Sequence, residues 1–196
     1  MGAAPPPPVV AVAVSVRTAD GKPVADAVVI VRLAGRDTPG ARVGTGYAVK
    51  QQNIQFHPFV SVVPLNGDIA FPNLDAVRHH VYSFSPAKRF ELKLYAREEN
   101  RTVRFDRAGP VSLGCNIHDQ MTAFIYVTDS AFTAKTDSAG NATLNGMPPG
   151  PATITVWHPY LRAPGNQTSR QIGVGDNARQ LFTVALRPPP AAGTSY

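Results

Sequence analysis

Apolar and polar positions alternate in short runs along most of the chain. Val10, Val12, Val14 and Val16 alternate with small or polar residues, Asp20-Gly21 offers a turn, and Ala27 to Leu33 forms a second apolar run. This pattern predicts a β-hairpin. Residues 35–46 are rich in Gly, Arg and Pro and read as a connection. From Tyr47 to Asp129, strands are predicted at residues 47–52, 60–64, 68–71, 79–85, 90–95, 102–106, 111–115 and 122–128, with turns at Asn66-Gly67 and Ala108-Gly109-Pro110. Such short, closely spaced strands point to a β-sandwich or barrel.

Beyond Asp129 the style of the first thirty residues returns. Turn signals at Asp137 to Asn141 and at Met147-Pro148-Pro149-Gly150 flank apolar runs, and residues 180–186 form a last strand. A lone hairpin is marginally stable in water, so residues 9–34 need the strands after residue 130 to pack on. No periodicity of 3.6 residues competes, and the fold class is all-β.

Composition agrees. The 196 residues include 16 Gly and 19 Pro, and only 16% are charged, which suits many strands joined by turns. The length allows one large domain or two small ones. A net charge of +6 is carried by singly scattered Lys and Arg, which argues against nucleic acid and for solubility with a mild preference for acidic partners. The apolar stretch Val9 to Val16 is too short to span a bilayer, so no membrane span is expected. Residues 1–8 read as a Pro-rich linker and residues 188–196 as a flexible tail.

One cysteine leaves no partner for an intrachain disulfide, a four-cysteine zinc site or a binuclear copper site with two thiolates. That cysteine lies in Cys115-Asn116-Ile117-His118-Asp119-Gln120-Met121, where thiol, imidazole and thioether recur at intervals of three directly after a predicted strand. Fully extended, three residues would span roughly 10 Å, too far for ligands of one ion, so the segment must turn. Taken singly, a lone Cys packs as a small hydrophobe and a Met fills core space. Together, and with a second imidazole, they make the soft and borderline donor set of a type 1 copper ion, with Met121 as a weak axial ligand for which zinc has little use.

The second imidazole must come from His79 or His80. Val77, His79 and Val81 share one face of the predicted strand, and His80, Tyr82 and Phe84 the other, so alternation alone leaves both open. His57 and His158 lack a second ligand type nearby, Asp75 reads as a turn former, and no nucleophile–base pair points to an enzyme.

Asn73-Leu74-Asp75 followed by His79-His80-Val81 resembles the cupredoxins, in which an Asn-x-Asp turn precedes a His-Asn-Val strand. The resemblance implies His79 as the ligand; His80 stands where the family has Asn and remains the alternative. The Cys115, His118, Met121 loop is similar to that of amicyanin, with Asn116-Ile117 in place of Thr-Pro. Gln52-x3-Phe56-x-Pro58, residues 79–85 and Cys115 to His118 extend the likeness to the cupredoxin-like methylamine utilization proteins. Gly21 to Val29, and Thr136 to Gly140 through Gly150 to Val156, resemble carboxypeptidase regulatory-like, transthyretin-like sandwiches. These resemblances imply a cupredoxin Greek-key domain at 45–129 inserted into a second, smaller sandwich made of 9–34 and 130–187.

The implied function is a periplasmic one-electron carrier, not a catalyst, holding one Cu(I)/Cu(II) ion on His79, Cys115, His118 and Met121. It would pass electrons between a redox-protein donor and acceptor with acidic docking surfaces. His118 would be the electron port, and Ile117 and Phe124 members of an apolar docking patch. The alternative is a copper chaperone, storage or sensor protein whose second sandwich is structural.

Overall fold

The computed structural model describes residues 9–97, 99–175 and 178–189. The expected linker at 1–8, and residues 190–196 of the expected tail, lie outside the described residues. The strands are β1 (Val10–Thr18), β2 (Val28–Leu33), β3 (Lys50–Gln51), β4 (Phe56–His57), β5 (Val60–Pro64), β6 (Gly67–Pro72), β7 (His79–Ser85) and β8 (Lys88–Tyr95). They continue with β9 (Asn100–Phe105), β10 (Gly109–Gly114), β11 (Thr122–Thr128), β12 (Thr133–Lys135), β13 (Asn141–Met147), β14 (Gly150–Trp157), β15 (Gln167–Val174) and β16 (Ala178–Val184). The protein is all-β, with one 3₁₀ turn at Pro164–Asn166 among the described residues.

The chain folds into two compact units, one drawn from residues up to Gly40 together with Ser130–Pro188, the other from Ala41–Asp129. In the first, a sheet of order β13-β1-β16 and a sheet of order β12-β2-β14-β15 enclose one apolar core. Val12, Val14 and Val16 of β1 point into it, as their alternation predicts, while Ala11 and Ala13 face out. Burying each such valine contributes roughly 1.5–3 kcal/mol.

The hairpin expected of β1 and β2 does not form. The Asp20-Gly21 turn is present, with Gly21 at φ 82° and its N–H donating to the Thr18 carbonyl. The chain then crosses to the other sheet, where β2 pairs with β12 and β14, whereas β1 pairs with β13 and, in parallel, with β16. The reason is visible in β2 itself: Val28, Val29, Ile30 and Val31 are all buried, a continuous apolar run that needs cover on both faces rather than an exposed hairpin position.

In the second unit a five-stranded sheet of order β5-β11-β10-β7-β8 faces a layer in which β6 pairs with β9 and the β3–β4 hairpin is joined to β6 by bridges at Ala48–Ala70 and Gln51–Asn73. Ile69, Phe71, Val81, Phe105, Val111, Leu113, Ile125 and Val127 fill the space between them. The long strand expected at 47–52 is only Lys50–Gln51, because the chain turns at Asn53-Ile54 and returns as β4. That turn reappears at the site.

Candidate metal centre

Cys115 follows β10 and keeps the inward parity of Val111 and Leu113, so its thiol is buried in the second unit's core. After it the chain leaves the sheet and closes a turn in which the Met121 N–H donates to the His118 carbonyl at 2.9 Å. This bend brings His118 back over the thiol, with Nδ1 3.7 Å from Cys115 Sγ. Met121 is buried in the same apolar cluster as Cys115, and His118 is half-buried. Just before the bend, Gly114 makes room for the Tyr82 ring: it pairs with Tyr82 across β10 and β7, and a Cβ there would lie 2.7 Å from Tyr82 Cζ.

The upstream histidine comes from the first residue of β7. His79 shares the core face with Val81 and Ser83, and its Nδ1 lies 4.0 Å from Cys115 Sγ. The His79 and His118 rings stand edge to face, with centroids 5.0 Å apart. One ligand atom from each of His79, Cys115 and His118 fits within 4.8 Å of the other two. Three donors held ~2.0–2.3 Å from a common centre in a trigonal plane are about 3.5–3.8 Å apart; the 3.7 Å from Cys115 Sγ to His118 Nδ1 falls in this range and the 4.0 Å to His79 Nδ1 lies just above it, leaving an ion-sized space between thiolate and imidazoles.

His80 points to the opposite face. Its Nε2 lies 3.0 Å from Glu91 Oε1, at ion-pair distance but without hydrogen-bond alignment, and its ring meets Tyr82. Of the proposed docking residues, Ile117 is half exposed, but Phe124 is buried and packs edge-on against Phe59, because residue 124 lies in the middle of a strand covered on both faces. His57 is exposed and His158 buried, both apart from this cluster.

Asp75 departs from its reading as a turn former. Its Oδ2 accepts from His79 Nε2 at 2.8 Å, and Asn53 and Ile54 donate their backbone N–H groups to Oδ1 at 2.7 Å and Oδ2 at 3.0 Å. Partial burial pushes the Asp75 carboxyl up, but the Ile54 N–H, the His79 ring and the Asn53 N–H outweigh it and hold the group below the usual carboxylate range. The turn is made by Asn73 instead: its Oδ1 accepts the Asp75 N–H, and its Nδ2 donates to the carbonyls of Val77 and Tyr95. The Leu74 N–H on the Gln51 carbonyl completes the frame of the loop. Sequence spacing offered one signal for this arrangement, the i, i+4 relation of Asp75 and His79, which has no directional meaning outside a helix.

No family model and no curated protein matches the chain. Among solved structures the chain is similar to a Cu-containing nitrite reductase from Thermus scotoductus, at 20% identity and a TM-score of 0.41, with 58% of this chain and 28% of that one covered. It is also similar to a purple cupredoxin from Nitrosopumilus maritimus, at 15% identity and TM-score 0.38 over 42% of this chain and 99% of that one. A reduced, Cu(I) form of an amicyanin variant gives 18% identity and TM-score 0.39 over 50% and 97%. The chain thus spans little more than a quarter of the nitrite reductase's length.

Proposed function

We propose that the protein is a mononuclear type 1 copper protein of the cupredoxin type that carries single electrons between redox partners. The observation that supports this reading is the buried thiol of Cys115 with His79 Nδ1 and His118 Nδ1 at 4.0 and 3.7 Å, a donor set suited to copper in both oxidation states. Met121, buried in the same cluster and turned back by the bond to His118, is the weak axial donor. His79, rather than His80, is the second imidazole.

When bound, copper would supply a one-electron couple. The chain's own residues do the rest. Cys115 provides the thiolate, the fully buried His79 and the core around it exclude water, and half-buried His118 with Ile117 beside it connects the site to solvent. Four protein donors leave no strong position for a substrate, which favours electron transfer over catalysis. The scattered positive charge would favour partners with acidic surfaces. By the cupredoxin resemblance the location is periplasmic, and residues up to Gly40 with those from Ser130 form a structural module into which the copper unit is inserted.

Copper titration with absorption and EPR spectra tests the reading. One equivalent of Cu(II) with an intense thiolate-to-copper band and reversible reduction is expected. The band should vanish in Cys115→Ser and in His79→Ala while surviving in His80→Ala. A colourless site that holds only Cu(I) and exchanges it readily would replace the carrier by a copper-delivery or storage protein, and absence of stoichiometric copper would falsify the site.

A further inference from the structure

Asp75 and the turn that anchors it form a positioning device behind His79. The β3–β4 hairpin closes on Asn53-Ile54, with reciprocal bonds between Gln52 and Gln55 and both central residues at positive φ, 56° and 55°. Two positive φ angles are the mark of a type I′ hairpin turn, whose favoured residues are Asn-Gly. Here the second place holds Ile, a β-branched residue for which this conformation is a strained outlier. The conformation aims two consecutive N–H groups at one carboxylate, a small anion nest occupied by Asp75.

Asp75 thereby reaches β7 with its geometry already set. Oδ2 is fixed from one side by Ile54 and accepts His79 Nε2–H from the other, so the His79 proton sits on Nε2 and the Nδ1 lone pair faces Cys115 Sγ. Since His79 is fully buried and Asp75 only slightly exposed, water competes little for this bond.

We propose that Asp75 is a positioning residue for the metal ligand His79, held by the strained Asn53-Ile54 turn, and that its negative charge biases a bound copper ion toward Cu(II). The inference rests on the copper reading above. A carboxylate hydrogen-bonded to a ligand imidazole fixes its tautomer and raises its donor strength, and removing such a partner costs about 10–100-fold in metal affinity. The effect is larger for the doubly charged ion, so the ratio of Cu(II) to Cu(I) affinity falls with the charge.

The test compares the full chain with Asp75→Ala and Asp75→Asn by competitive Cu(I) and Cu(II) titration, spectroelectrochemistry and thermal unfolding of the metal-free proteins. Asp75→Ala is expected to lose about 10–100-fold in Cu(II) affinity and to raise the reduction potential, each tenfold change in the affinity ratio being ~59 mV for one electron. Asp75→Asn keeps an oxygen acceptor for His79 without the charge. It should retain Cu(I) affinity within a few-fold yet still shift the potential upward, a readout that loss of a turn residue would not move. If wild type binds copper and both variants match its affinities and potential, while their metal-free stability falls, Asp75 is a turn former and this inference is overturned alone. A wild-type chain that takes up no copper overturns it together with the copper reading.

Discussion

Adding one methyl group at Gly114 should loosen the strand that carries Cys115. An ideal Cβ at this position lies 2.7 Å from Tyr82 Cζ, 2.8 Å from Oη and 3.2 Å from Cε1. Comfortable carbon contacts are about 3.5–4.0 Å, so the ring must retreat by roughly an ångström or β10 must bend away from β7. The ring is not free to move without loss, since it packs at a tilt against Phe84, with centroids 5.1 Å apart, and His80, at 5.9 Å. Overpacking of this kind costs about 1–3 kcal/mol, and the half-buried setting of Tyr82 places Gly114→Ala in the lower part of that range. Because the chain holds two units, amide exchange is a better assay than one global unfolding curve. At the β10 amides of Val111 and Leu113, a loss of about 1–2 kcal/mol accelerates exchange by roughly 5–30-fold. Combining Gly114→Ala with Tyr82→Ala removes the clash, so the double variant should lose less than the sum of the single losses by about 1 kcal/mol. Unchanged β10 exchange in Gly114→Ala, or a full undiminished effect of the methyl in the Tyr82→Ala background, would refute the steric account.

Ile54→Gly should raise stability by about 0.5–1 kcal/mol, measured as a higher urea midpoint, because a left-handed non-glycine residue costs roughly 1–2 kcal/mol, which exceeds the entropy penalty of glycine. The backbone N–H to Asp75 is kept, so copper affinity should stay unchanged. Gly140→Ala should be far more damaging, beyond about 3 kcal/mol, since it combines φ 71° with a Cβ only 2.6 Å from the Val16 carbonyl oxygen and 2.9 Å from Val24 N, backbone atoms that cannot swing aside. Burial pushes His158 down to about 4, with the Asp26 charge only partly opposing it. Between pH 6.5 and 4 the unfolded chain therefore holds a proton that the folded chain does not, so stability falls as the pH falls through this window and levels off below it. The full effect is on the order of 3 kcal/mol, and replacing His158 by Asn should flatten that part of the stability–pH curve.

Much of the second unit is legible in the sequence because its strands are bounded by turn residues and show two-residue alternation. Residues 60–64, 79–85 and 122–128 are expected as strands and are β5, β7 and β11 with the same limits. The Cys115, His118, Met121 spacing likewise demands a turn, and the His118–Met121 bond closes one. The β3–β4 turn is hidden because Asn53-Ile54 breaks the Asn-Gly rule for type I′ hairpins, and a locally disfavoured residue leaves no local signal. The pairing of β1 and β2 is misleading for another reason: a turn such as Asp20-Gly21 reverses the chain without specifying which sheet the returning strand joins.

Periodicity and short-range spacing were enough for the all-β class, for the inward parity of Val111, Leu113 and Cys115, and for Cys115, His118 and Met121 as neighbours on one bend. All of these are properties of residues close together along the chain. That His79 rather than His80 meets the thiol, and that Asp75 stands behind it, emerges only from the folded molecule. Alternation divides β7 into two faces but carries no label for which is inside; the label comes from the opposing layer and from β10 and Cys115, the latter more than thirty residues away. The carboxylate of Asp75 is aimed by N–H groups of Asn53 and Ile54, twenty-two and twenty-one residues upstream, a contact that exists only once the β3–β4 hairpin has docked beside β6.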